Sequence, residues 1–86
     1  MINSKEHPVA WPLLLVELDD AREHLEQLIC KMNASGSIEE PAFAVDLGHI
    51  YAHLNRAWHS RDLASEASAE QWSLLSRFPT DLKPVG

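Results

Sequence analysis

Residues 12–36 read PLLLVELDDAREHLEQLICKMNASG, and the spacing of the apolar residues in this stretch decides the fold. Leu14, Leu18, Ala21, Leu25, Leu28 and Met32 recur at alternating intervals of four and three, with Ile29 widening the row, which is the period of one helix face. Pro12 suits the first turn of such a helix, where its missing N–H has no partner to lose. Gly36 suits the end, because glycine takes the left-handed conformation that closes helices, and Lys31 complements the negative end of the helix dipole. The spacing predicts helix 1 over 12–34, preceded by an irregular arm at 1–11.

The next stretch, residues 37–62, reads SIEEPAFAVDLGHIYAHLNRAWHSRD. Ser37 and Glu40 have the form of a capping box, and Pro41 sits where a first helical turn tolerates proline. Phe43, Leu47, Ile50, Leu54 and Ala57 repeat the same intervals, flanked by Tyr51 and Trp58, and predict helix 2 over 38–63. A link of a few residues cannot carry the chain back along helix 1, so the two helices must lie antiparallel and side by side. Residues 63–68 are rich in alanine and serine and would serve as an extension of helix 2. Ser68 and Gln71 instead repeat the capping-box pattern, so a separate short helix 3 is expected over 68–78, carrying Trp72, Leu75 and Phe78 and stopped by Pro79 ahead of a tail at 79–86. The expected architecture is all-α: one helical domain, an antiparallel helical hairpin plus a short third helix.

Composition narrows the functional classes. The chain of 86 residues carries a formal charge of −6, with a pI near 5.2. No run of lysine and arginine offers a face to a phosphate backbone or an anionic membrane, so neither nucleic acid nor membrane is an expected partner. The acidity lies at the front, where residues 1–40 hold eight acids against three bases. Cys30 is the only cysteine, which excludes an intrachain disulfide and suits a reducing, cytoplasmic setting. The apolar run at 9–16 is broken by Pro12 and followed by Glu17, Asp19 and Asp20, and so reads as neither a signal peptide nor a membrane span.

A two-helix hairpin buries one row per helix, and large apolar side chains remain outside those rows. Leu13, Leu15 and Val16 surround the first turn of helix 1, and Tyr51, Trp58 and Trp72 add aromatic surface. A chain this small buries proportionally little surface, so a homodimer resembling a four-helix bundle is expected, with Leu13, Val16, Tyr51, Trp58 and Trp72 at the interface.

The most pointed polar group is Asp46, His49 and His53, at i, i+3 and i+7 on helix 2. These fall within about 60° of arc beside the apolar row. Histidines at i and i+4 have zinc-ligand spacing, and a carboxylate one turn earlier can serve as a third ligand or orient one. The plainer reading is a solvated face. Glu17, Asp20 and His24 share a side of helix 1, where a charge-stabilised histidine is expected rather than a ligand. Arg56 and Arg61 are expected to pair with Glu17, Asp19 and Asp20, because an antiparallel hairpin sets the end of helix 2 beside the start of helix 1. Cys30 lies away from the core row near Glu23 and Glu26, whose charges oppose thiolate chemistry. With no phosphate-binding glycine loop and no nucleophile elbow in the sequence, the expected function is a non-catalytic protein-interaction module with no cofactor, such as a small bacterial regulatory or accessory protein. The alternative is a metal- or small-ligand-binding bundle using Asp46, His49 and His53.

Overall fold

The computed structural model describes residues 1–64, 68–78 and 81–86, and every statement of absence below concerns these residues. Three helices follow in order: α1 (Ala10–Ser35), α2 (Glu40–His59) and α3 (Ala69–Leu75). No strand joins them, and no helix is long and apolar enough to cross a membrane.

The expected arm is more ordered than its sequence suggests. The Asn3 side chain accepts hydrogen bonds from the backbone N–H groups of Lys5 and Glu6 at 3.0 and 2.7 Å, and the resulting turn leads directly into α1. Helix 1 therefore begins at Ala10, two residues ahead of Pro12, which still lies in the first turn. It closes at Gly36, whose φ of 70° is left-handed and whose N–H reaches the Met32 carbonyl at 2.8 Å.

The Ser37–Glu40 capping box does not form. Glu39 precedes the helix in an extended conformation with no side-chain cap, and Pro41 occupies the first turn. The displacement has a packing cause: Ile38 tucks into the core beside Met32 and Phe43, which straightens the chain at Glu39 and delays the helix. At the other end α2 stops at His59, short of the expected 63, with Ser60 as its cap: the Ser60 N–H and hydroxyl both donate to the Arg56 carbonyl, at 2.9 and 2.6 Å. Beyond it the bonding tightens to i→i−3, Arg61 N–H reaching the Trp58 carbonyl at 3.4 Å and Leu63 N–H the Ser60 carbonyl at 3.2 Å.

The Ser68–Gln71 box forms in full. Gln71 N–H donates to Ser68 Oγ at 3.2 Å, and Ser68 N–H donates to Gln71 Oε1 at 2.8 Å. Helix α3 ends at Leu75 rather than at 78. Its end is fastened to α2 by Asn55, whose side-chain amide donates to the carbonyls of Leu75 and Arg77 at 3.3 and 2.7 Å, and by His59 Nε2, which donates to the Arg77 carbonyl at 2.7 Å. Whether 65–67 continue a helix, and whether Pro79 acts as the stop, fall outside the described residues.

Helices α1 and α2 pack along most of their length, but the seam differs from the expected rows. Ala21, Leu28 and Ile50 form its buried centre, with Ala57 beyond them. Leu18, Leu25, Leu47 and Leu54, expected in the same rows, are 44–48% exposed. Their places are taken by polar residues: Glu17 and His24 are half-buried, and His53 is buried. The pattern is a repeated pair, Glu17-Leu18 and His24-Leu25 on α1, then Asp46-Leu47 and His53-Leu54 on α2, seven residues apart on each helix. Successive side chains diverge by about 100° around a helix, so each pair straddles the seam, with its polar member on one flank and its leucine on the other.

The tail returns to α2. The Trp58 indole N–H donates to Asp81 Oδ1 at 2.9 Å, and the Arg61 guanidinium stacks 3.9 Å over the Trp58 ring. The indole hydrogen bond is the largest influence on the Asp81 carboxyl and, with the tail backbone and the charges of Arg61 and His59, holds it below its ordinary value against the opposing effect of desolvation. A carboxylate whose folded pKa is depressed stabilises above the unfolded pKa and loses that effect as pH falls through the folded one. The Trp58 indole proton resonance is therefore expected to hold steady across neutral and mildly acid pH and to shift only below the usual carboxylate range. Asp81→Asn should abolish that titration.

Candidate metal centre

The polar flank of the seam is a ladder of three rungs, built by residues that lie equally far from the link between α1 and α2. At the open end, Glu17 receives two partners from α2: its Oε2 lies 2.7 Å from His53 Nδ1, and its Oε1 accepts from Arg56 Nε at 3.0 Å. At the closed end, Lys31 is paired with Asp46. Between them stand three histidines.

His24 comes from α1 and His49 and His53 from α2. Their ring centroids are 4.1 Å apart for His24 and His49, 5.3 Å for His24 and His53, and 5.0 Å for His49 and His53. One ring nitrogen from each falls within 4.8 Å of the others. A cavity of about 210 Å³, lined by His24, Gln27, Leu28, Lys31, Asp46 and His49, opens beside them.

The shorter of two contacts at Nδ1 assigns the tautomer of the neutral His53 ring. A carboxylate oxygen 2.7 Å from Nδ1 has only lone pairs to present, so Nδ1 must carry the proton and donate it. Arg56 Nη2 lies 3.0 Å from the same nitrogen, but it has no lone pair to accept there and its guanidinium is already directed to Glu17. In the neutral ring the lone pair of His53 is then on Nε2. That atom is buried without a hydrogen-bond partner, in a residue only 8% exposed. Leaving such an acceptor unpaired costs about 1–3 kcal/mol.

The sequence-expected ligands are placed as follows. His49 and His53 are in the cluster. Asp46 is one turn away, committed to Lys31, and His24 of the opposite helix stands with the two histidines in its stead. Glu17 and His24 share a flank as expected, but that flank is the seam rather than solvent. The spacing of Glu17, His24 and Lys31, each seven residues apart, is the signal that shows this. Arg56 pairs with Glu17 as expected, whereas Arg61 pairs with Asp81 of the tail and Asp19 with Arg22 of its own helix. Cys30 is exposed and outside the cluster.

Of the expected interface residues, Leu13, Val16, Tyr51 and Trp72 are exposed and Trp58 is half-buried. Leu13, Val16 and Trp72 line a groove with Leu63 and Leu75, Tyr51 meets Phe78 with ring centroids 5.6 Å apart, and Trp58 is half-buried beneath Arg61. No known protein family matches the chain, and comparison with curated proteins and with solved structures returns no match.

Proposed function

We propose that this chain binds a divalent transition-metal ion of the zinc class through His24, His49 and His53, with Glu17 orienting His53 from behind. The observation that carries the reading is the orphaned Nε2 of His53: a buried lone pair, fixed by a carboxylate on the other ring nitrogen and accompanied by two more imidazoles. A histidine that gives its second N–H to a carboxylate is the usual arrangement behind a metal ligand. Three imidazoles leave one tetrahedral position, which the adjoining cavity would supply.

The cluster needs modest closure. Ligand nitrogens around a tetrahedral zinc are about 3.3 Å apart, given zinc–nitrogen bonds near 2.0–2.1 Å, against a present spread of up to 4.8 Å. His49 is exposed and can rotate inward without disturbing the core.

Titration of untagged protein with cobalt(II), followed by its visible absorption, tests the reading. The expected result is one ion per three-histidine cluster, lost in His53→Ala and in His24→Ala and retained in His59→Ala, whose ring serves the α3 end. Circular dichroism on the same samples separates lost ligands from lost fold. A folded protein that takes up neither cobalt nor zinc, or takes them up equally after replacement of both His24 and His53, would remove the proposal.

A second reading, a non-catalytic helical interaction module, is favoured by a different observation: the uncovered leucines on the other flank of the seam. The two readings occupy opposite sides of the hairpin and are compatible.

A further inference from the structure

We infer that the flank of the hairpin opposite the histidines, formed by Leu18 and Leu25 of α1 and Leu47 and Leu54 of α2, is covered by a second copy of this chain. The four leucines are 44–48% exposed, Ile29 beside them is 50% exposed, and Leu82 of the tail extends the patch past Leu54. On each helix they stand seven residues apart, the interval at which side chains of one helix enter the gaps of another across a bundle. The charged side chains beside the α1 row, Arg22 and Asp19, are paired with each other at its rim.

The surface area argues for a partner of substantial size. The chain exposes 6614 Å². A compact monomer of 9.7 kDa is expected to expose about 5,100 Å², so roughly 1,500 Å² is in excess, shared between the exposed chain ends and the uncovered helix faces. A stable interface removes about 800 Å² from each partner. The interior agrees: the buried apolar residues are Ala10, Ala21, Leu28, Ile50, Ala57 and Leu75, half of them alanines, and no large side chain is fully buried.

A second copy fits this face better than an unrelated peptide. The uncovered rows run along both helices and present two parallel ridges, so a single peptide helix would seat between them and leave their outer sides wet. Another hairpin brings two ridges of the same length and spacing, and a two-fold axis lets both copies bury the same leucines. Leu13, Val16, Tyr51 and Trp72 of the expected interface are also exposed, and the leucines expected in the core join them as candidates for a shared face.

Sedimentation equilibrium from micromolar to millimolar chain, with helical content read by circular dichroism, tests this. The expected result is a dimer for the wild type. Leu18→Glu with Leu47→Glu should weaken association by about a hundredfold or more while keeping the helical spectrum, because both side chains are half-exposed in the single chain. Val45→Glu, at a position 72% exposed and away from this face, should leave the dimer unchanged. A milder pair, Leu18→Ser with Leu47→Ser, covers the case in which the charged variant fails to fold. A wild type that remains monomeric throughout, or a folded double variant that dimerises as tightly as wild type, overturns the inference. Because the histidines lie on the other flank, a folded monomeric variant should still bind cobalt, so failure of the dimer and failure of the metal site read out separately.

Discussion

Glu17→Ala is expected to be the most damaging single change to the polar flank, costing about 3 kcal/mol of stability. Glu17, Arg56 and His53 have side chains that are 17%, 18% and 10% exposed, so water replaces little of what the carboxylate supplies. Its removal leaves a guanidinium and an imidazole N–H without an acceptor on the same rung. Breaking a buried pair by deleting one member costs far more than deleting an exposed one, where the usual effect is under about 1 kcal/mol. Urea denaturation should show the loss directly, and in a domain of this length the melting temperature should fall by about ten degrees or more. Asp19→Ala is the comparison: it breaks a pair with Arg22 that is exposed on both sides, and stability should change by no more than about 0.5 kcal/mol. Equal effects from the two substitutions would contradict the placement of Glu17 in the seam.

Ile50→Ala is expected to cost about 2–5 kcal/mol, which approaches the whole stability of a small domain. Ile50 sits between Ala21 and Leu28 at the centre of the core and is 6% exposed. The informative contrast is Leu47→Ala, measured at dilutions where the chain is monomeric. Leu47 belongs to the same apolar row in the sequence but is 46% exposed, so its truncation should cost less than about 1 kcal/mol under those conditions. At concentrations that favour the dimer, the same substitution should become more costly. An exposed leucine whose loss depends on concentration is the stability signature of the shared face.

The contrast between Ile50 and Leu47 also marks where sequence reasoning succeeds and where it stops. Periodicity identified both helices, and the short link with Gly36 at its head fixed their antiparallel pairing, because these features depend on local geometry alone. The Ser68–Gln71 box was legible for the same reason. Ser37–Glu40 had the same form and failed, since Ile38 has a core to enter and the capping residue does not decide the start of the helix against that gain. The apolar rows are wider than the core they predict: a two-helix seam is narrow and accommodates only the middle of so wide a stripe, leaving Leu18, Leu25, Leu47 and Leu54 at its edge.

The place of His24 beside His49 and His53 follows from the same geometry. Counting outward from the link in equal steps sets Lys31 near Asp46, His24 near His49 and His53, and Glu17 near Arg56. The three rungs are therefore implied once the hairpin is accepted. What the sequence did not supply was the rotation of each helix, which chooses the polar member of each Glu17-Leu18 or His24-Leu25 pair for one flank and the leucine for the other. That choice depends on packing across the seam, where the small side chains of Ala21 and Ala57 are buried.

In the proposed site His53 holds its proton on Nδ1 for Glu17 and keeps Nε2 free for a metal ion. Long-range proton–nitrogen correlation spectra of the imidazole rings, recorded before and after one equivalent of zinc, test it most directly. The expected result is the Nδ1–H tautomer of His53 in the metal-free protein, followed by ligation shifts at His53 Nε2 and at one nitrogen each of His24 and His49, with His7 and His59 unchanged. A His53 ring protonated on Nε2 alone, or zinc that shifts none of the three rings, would contradict it.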